Sequence, residues 1–322
     1  MVYAQDLKSC EGKPLRAGPS PALGTRDVVQ LVERSVWDRE VGSSNLPVPT
    51  YMSPIFLNYK KLIDGFLQKF LAEKKQTLGE VNPFGQDLVD RIIPIITAGK
   101  TIRGSLVLLS YCFTNKAPSE DAIKLAAAME LFQTALVIHD DIMDHDTTRR
   151  GVPSLHIQYK SEALAMCSGD VLFFMAFELI GSIKTDALTL GRITRLVGRE
   201  YQSVGIAQMM DVAKTAKTKL EIFNLYTNKT ARYTFAVPLM LGATLAGTTK
   251  DVLKYLESFG VTTGILFQIQ DDKLDNENNP FTDQDSAGYA KAAQESLKHL
   301  LIPPDKKQLL ENLLEFVKHR NK

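Results

Sequence analysis

Two short acidic runs define the chemistry open to this sequence. In HDDIMDHDTTRRG (139–151) Asp140 and Asp144 stand four residues apart, and in FQIQDDKLD (267–275) Asp271 and Asp275 repeat the spacing. On a helix such a pair shares one face, about 5.4 Å apart along the axis. Each run ends a strongly apolar segment, where mutual repulsion and the negative end of the helix dipole both disfavour added carboxylates. A cation is therefore expected to compensate. Hard oxygen ligands on two helices, with room for water and phosphate oxygens, suit magnesium better than zinc or iron. A di-iron bundle would need Glu-x-x-His pairs, and the sequence has none.

Basic residues complete the pattern. Lys100 and Arg103 lie in AGKTIRGS, Arg149 and Arg150 follow the first acidic run, and Lys229 with Thr230 lies in NKTARYT. Arginine gives bidentate contacts to phosphate, lysine a point charge and threonine a hydroxyl donor. Two carboxylate clusters with three separate basic sites leave room for two diphosphates, only one of which needs to be held through metal.

The segment ELFQTALVIHDDIMDHDTTRRGVPSLH (130–156) resembles, almost throughout, the first aspartate-rich region of the polyprenyl (isoprenyl) diphosphate synthase family. The resemblance covers roughly residues 54–275 and is greatest to the geranylgeranyl diphosphate synthases. It implies an all-α, single-domain helical bundle around a central active-site cavity, and a trans-prenyl diphosphate synthase that joins an allylic diphosphate to isopentenyl diphosphate. By the same resemblance Asp140 and Asp144 would bind Mg2+ at the allylic diphosphate and Asp271 a further Mg2+, supported by Asp141, Asp272 and Asp275. Arg149, Lys229, Thr230 and Gln268 would contact the allylic diphosphate; Lys100, Arg103, Gln133 and Arg150 would hold isopentenyl diphosphate. His139 and His156 also match family positions and read as packing or capping residues. Ionisation to an allylic carbocation, attack by the isopentenyl double bond and loss of a proton to the released diphosphate would follow, within a homodimer.

The match fails in two places. Thr101 and Gly104 replace the family's usual Arg and Pro, and after Asp275 the chain lacks the lysine-rich loop that normally follows the second acidic run. That loop supplies a lysine to the allylic diphosphate in the family, so a weakly active or non-catalytic partner subunit is the alternative reading. A terpene cyclase is a third, disfavoured because it has no need of a second diphosphate site such as Lys100 and Arg103 would form.

Product length should be read one, two and three turns before Asp140, beside which a growing tail would run. The first level is Ala135 and Leu136, then Phe132, then Met129. Ala135 is too small to block the tail, and Phe132 is the first large obstacle, so the expected product is longer than farnesyl, most simply geranylgeranyl diphosphate, with a somewhat longer chain as the alternative.

These residues need helices to position them, and from Pro54 onward apolar residues recur at spacings of three and four. Leu57, Leu62, Phe66, Phe70 and Leu71 mark a first helix, and Pro118 followed by Ser119, Glu120 and Asp121 opens a long one reaching about Met143. Further helices are expected over 168–182, 186–212, 218–233, 236–246, 250–275, 285–300 and 304–320. Residues 1–51, rich in Pro, Gly and Ser, have no helical period and stand outside the 52–322 synthase domain. They read as a disordered leader or a spurious extension: 27–50 resembles a transfer-RNA gene translated in the wrong frame, with synthesis starting at Met52.

Composition sets the remaining bounds. The chain has 322 residues, 44% of them hydrophobic, enough to bury a substantial core. Lys plus Arg, 38, nearly cancels Asp plus Glu, 37, so no global field draws it to nucleic acid or an anionic membrane. The apolar runs at 171–181 and 236–247 fall short of the roughly 20 residues of a membrane span and are expected as core helices. Charged residues from Asp6 to Lys13 stand where a secretory signal would be apolar. Cys10, Cys112 and Cys167 are far apart, without CxxC spacing, which fits a reducing cytoplasm.

Overall fold

Apolar residues three and four apart build the first helix, α1 (Pro54–Val81), whose buried stripe is Phe56, Tyr59, Ile63, Leu67 and Phe70. Leu57 and Leu62, expected on that stripe, are 38% and 43% exposed. They stand five apart and lose to the continuous 3-4-4-3 series beside them. The computed structural model describes residues 54–274 and 279–319. The N-terminal extension and Asp275 lie outside the described residues.

Besides a one-turn helix at Leu155–Tyr159, the sequence reading missed α2 (Phe84–Thr97) and α3 (Ile102–Tyr111). Pro94 sits inside α2, and Gly99 and Gly104 bracket the junction, so local punctuation reads as loop. Burial of Leu88, Val89, Ile92, Ile95 and Ile96 outweighs the hydrogen bond that Pro94 removes.

α4 (Glu120–Met143) is the central helix. Ser119 caps it by accepting the Ala122 amide, Glu120 and Asp121 favour its positive end, and Ala126, Ala127, Ala128, Met129 and Phe132 are essentially inaccessible. It packs against α3 and α6 (Glu162–Gly181). A two-residue hairpin, β1 (Thr148–Arg149) with β2 (Val152–Pro153), and the short α5 (Leu155–Tyr159) link α4 to α6. α7 (Ala187–Val212) and α8 (Lys219–Leu225) follow.

Where an ordinary helix is expected over 218–233, the chain instead widens into a π-helix, Tyr226–Ala236, before α9 (Val237–Leu245). Pro238, at the start of α9, has no N–H to give Thr234 in an α-helical ladder, which favours the wider pairing before it. The π-helix crosses α10 (Lys250–Leu274) at Gly260 and Gly264. A Cβ on Gly264 would lie 2.7 Å from the Ala231 Cβ, and one on Gly260 2.6 Å from the Ala236 nitrogen, so the crossing requires glycine at both positions. α11 (Asp283–His299) and α12 (Pro304–Lys318) close the fold against α10.

By length and composition, α4 and α6 are each long and apolar enough to cross a membrane. Contiguous apolar runs understate this because isolated polar residues interrupt them. The run at 171–181, expected as a core helix, lies in α6, which is only 44% buried over its apolar stretch and leaves an apolar face outward, whereas α4 is 78% buried.

Candidate active site

α4 delivers the first acidic cluster at its C-terminal end. Asp144 closes the helix by donating its amide to the Asp140 carbonyl, and His145, at φ 57°, turns the chain away. Asp140 and Asp144 thus stay one turn apart. Asp140 accepts a 2.6 Å hydrogen bond from Gln208 of α7. Three residues on, Asp211 pairs with Lys229 of the π-helix. Burial pushes the Asp140 carboxyl up, against the pull of Lys229 and Arg149. Burial opposes the Lys229 charge, yet Asp140, Asp211 and Asp144 together hold its ammonium above the usual range. Cation and acidic cluster therefore face one another.

The adjacent Asp141 has a different task. It is 2% exposed and takes two hydrogen bonds from the Arg149 guanidinium, which is 3% exposed and also reaches Asp146 at 2.9 Å. Burial lifts Asp141 to about 7 despite Arg149. Arg149, expected on the allylic diphosphate, is here committed to a buried ion pair that folds the hairpin back on α4. Arg150 and Gly151, both at positive φ, form the two-residue turn. The turn sends Arg150 the other way: it donates to the Ile95 carbonyl at 2.7 Å and packs where a Cβ on Gly99 would lie 2.6 Å from its Nη1.

The second cluster joins α10 to the π-helix through an ordered chain of hydrogen bonds. Thr230 donates to Gln268 at 2.9 Å, Gln268 donates to Asp272 at 2.8 Å, and Tyr226 donates to the other Asp272 oxygen. Asn279 adds a 3.3 Å bond. Asp272 is thereby fixed as a support beside Asp271; they are 4% and 6% exposed. Neighbouring π-helix residues thus face different clusters, Lys229 the α4 acids and Thr230 the α10 acids. Arg232 anchors this helix from behind with two bonds to Glu200 and one to Glu257. Burial works against the Glu200 charge, but Arg232 and Arg199 hold its carboxyl below the usual range.

The basic cradle forms where α2 meets α3. Lys60 of α1 clamps the turn, donating to the Thr97 and Gly99 carbonyls at 2.9 and 2.7 Å. Thr101, at φ 56°, occupies a left-handed conformation unfavourable for a β-branched residue, the kind of strain that collects at functional sites. Gly104 gives its amide to the buried Glu130 at 2.8 Å, a bond that proline at this position could not make. Burial raises the Glu130 carboxyl in spite of that bond and of Arg103, Arg150 and Lys60 nearby. Arg103 donates to Thr234 at 2.8 Å and lies 4.2 Å over the Tyr233 ring, and Tyr233 donates to Gln133. Arg103, Gln133 and Arg150 are so gathered around Glu130 and Tyr233, with Lys100 beside Gly99 at the entrance to α3.

Among the candidate chain-length residues, Met129, Phe132 and Ala135 are fully buried and Leu136 partly so. The Phe132 ring is boxed by Phe173, Phe177 and Tyr201 at 6.0, 5.2 and 4.4 Å. His139 packs edge-on to Phe173 and bonds the Met166 carbonyl at 3.1 Å, as a packing residue would.

Sequence reasoning missed Gln208 and Asp211, whose spacing of three at the end of an amphipathic helix was the available signal. It also missed Lys60, Glu130, Tyr226 and Tyr233, which nothing local distinguishes. Among the described residues no three His, Cys, Asp or Glu side chains converge on one point.

Residues 86–288 match the family profile of polyprenyl synthetase. The chain is 34% identical over 209 residues to a short chain isoprenyl diphosphate synthase of Methanothermobacter thermautotrophicus, covering 62% of this chain and 61% of that protein. It is 34% identical over 238 residues to a geranylgeranyl diphosphate synthase of Cyanophora paradoxa, covering 70% and 77%. Several curated relatives are matched over little more than half their length, 55% for the geranylgeranyl diphosphate synthase of Methanosarcina mazei. The fold is similar to a Corynebacterium glutamicum geranylgeranyl pyrophosphate synthase solved with isoprenyl diphosphate and magnesium, with TM-score 0.74, 19% identity, and coverage of 82% of this chain and 99% of that one. The chain belongs to the polyprenyl synthetase family.

Proposed function

We propose that this protein is a magnesium-dependent prenyltransferase that extends an allylic diphosphate by isopentenyl diphosphate. The observation that supports this most is the division of the site: two acidic clusters flank one wide helix, while a separate basic cradle stands at the α2–α3 junction. Magnesium, when bound by Asp140, Asp144 and Asp271, would neutralise the charge that builds on the departing diphosphate. Lys229 adds a fixed cation at the same place, held there by Asp211. Arg103, Lys100, Gln133 and Arg150 would bind the second diphosphate and hold its double bond against the nascent cation, so that positioning lowers the barrier. The aromatic and aliphatic wall from Ala135 to Phe132 keeps water from that cation.

Independent loss of the two substrates tests this division. Lys100→Ala should weaken isopentenyl diphosphate more than the allylic substrate, as read from separate KM values, and equal losses would reject the two-site assignment. Chelation of divalent metal should abolish turnover, and full activity in chelator would reject the metal.

Two further parts belong to the proposal. The outward apolar residues of α6 and α7, with Phe174 74%, Ile206 60% and Met209 67% exposed, fit a homodimer face, and sedimentation showing only monomer at micromolar concentration would oppose it. A cytoplasmic setting fits Cys112 and Cys167, neither of which is in a disulfide. The second reading, a partner subunit of low activity, draws on the short connection from α10 to α11. An inactive chain that raises another synthase's turnover on mixing would favour it.

A further inference from the structure

A channel for a growing tail needs two walls, and two contacts locate the one opposite α4. Asp140 meets Gln208, and two turns earlier on each helix Phe132 meets Tyr201, with ring centroids 4.4 Å apart. α4 and α7 therefore run in the same direction, both ending at the acidic cluster, and the Phe132–Tyr201 layer lies about 11 Å below it at 1.5 Å per residue. Between the two layers α4 offers the small, buried Ala135 and the partly buried Leu136, and α7 offers the buried Val204. The first aromatic rings met on either wall are Phe132 and Tyr201.

Tyr201 also borders the other substrate's site. Its ring lies edge-on to Tyr233 at 5.5 Å, and Tyr233 in turn lies under Arg103 and bonds Gln133. The side chain thus separates the apolar channel from the basic cradle. Its hydroxyl is buried, with the Tyr233 side chain as its polar neighbour. A phenylalanine ring would fill the same wall without burying that group.

We propose that Tyr201 is a specificity-determining residue that closes the elongation channel jointly with Phe132, so that product length is set by a layer shared between α4 and α7 and not by α4 alone. This deepens the prenyltransferase reading and rests on it. The wall works by volume: truncating it opens the channel, enlarging it shuts the channel earlier, and deleting only the hydroxyl changes neither.

The test uses the full chain, isopentenyl diphosphate and an allylic starter, with chromatography of the dephosphorylated products. Tyr201→Ala should lengthen the main product by at least one isoprene unit, Tyr201→Trp should shorten it, and Tyr201→Phe should leave it unchanged. Tyr201→Ala combined with Phe132→Ala should give products longer than either alone. Unchanged length in Tyr201→Ala, in a variant whose circular dichroism matches the parent, overturns the proposal while leaving the enzyme reading intact. If that variant does not fold, Tyr201→Leu is held to the same expectation. A parent chain that elongates no starter overturns the reading and this proposal with it.

Discussion

Arg149→Met separates a structural from a ligand-binding role for the first arginine of the hairpin. Arg149 and Asp141 are 3% and 2% exposed, so removing the guanidinium strands a buried carboxylate. Breaking such a pair from one side costs about 3–5 kcal/mol. In a domain of this size that is a fall in melting temperature on the order of 10 °C. The cost should depend on pH in a known direction. Asp141 already titrates at about 7 with its partner present, and without it the pKa rises further. A carboxyl raised in the folded state gives its full contribution below the ordinary carboxylate range, and stability falls as pH climbs through the folded value. The variant should be less impaired at pH 5 than at pH 8, and Asp141→Asn combined with Arg149→Met should recover most of the loss. Urea denaturation at the two pH values reads all of this. A loss under about 1 kcal/mol, equal at both pH values, would refute the buried-pair account and return Arg149 to the substrate.

Other expectations follow from single contacts. Asp140→Ala should cut turnover by about 10²-fold or more while melting near the parent temperature, since the lost carboxylate is needed for charge compensation and not for folding; retention of a tenth of the activity contradicts it. Gly264→Ala should destabilise by about 1–3 kcal/mol by prising the π-helix off α10, and a neutral effect in urea would mean the crossing is looser than described. Asp285 is held down to about 2 by Lys219 and by the Thr282 cap, so its contribution is present above the ordinary carboxylate range and lost as pH falls through about 2. Asp285→Asn should remove that acid-side step from amide exchange in α11; an unaltered profile counts against the assignment. Ala135→Phe should shorten the product, and no change would move the floor off α4.

The two acidic clusters were legible because their signal is local: spacing of four behind an apolar run, with paired basic residues nearby. The long helices were legible for the same reason, and Ser119 before Glu120 and Asp121 placed the start of α4 to within a residue. What escaped was tertiary. Pro94 and the glycines at 99 and 104 read as breaks, although burial of the α2 stripe and the clamp from Lys60 override them. The π-helix follows from a proline and two glycines contributed by different segments, which no window contains. Arg149 and Arg150 look alike in sequence, yet the positive-φ turn directs one into a buried pair and the other to the end of α2. Glu130 is indistinguishable from a surface glutamate until the Gly104 amide is found against it.

Incubation of the purified chain with magnesium, labelled isopentenyl diphosphate and farnesyl diphosphate, followed by mass spectrometry of the products, tests the central claim most directly. The account predicts a diphosphate extended by one isopentenyl unit, carrying the label and absent from the Asp140→Ala reaction. Recovery of unextended farnesyl diphosphate alone, from protein that is folded and binds both substrates, would contradict it.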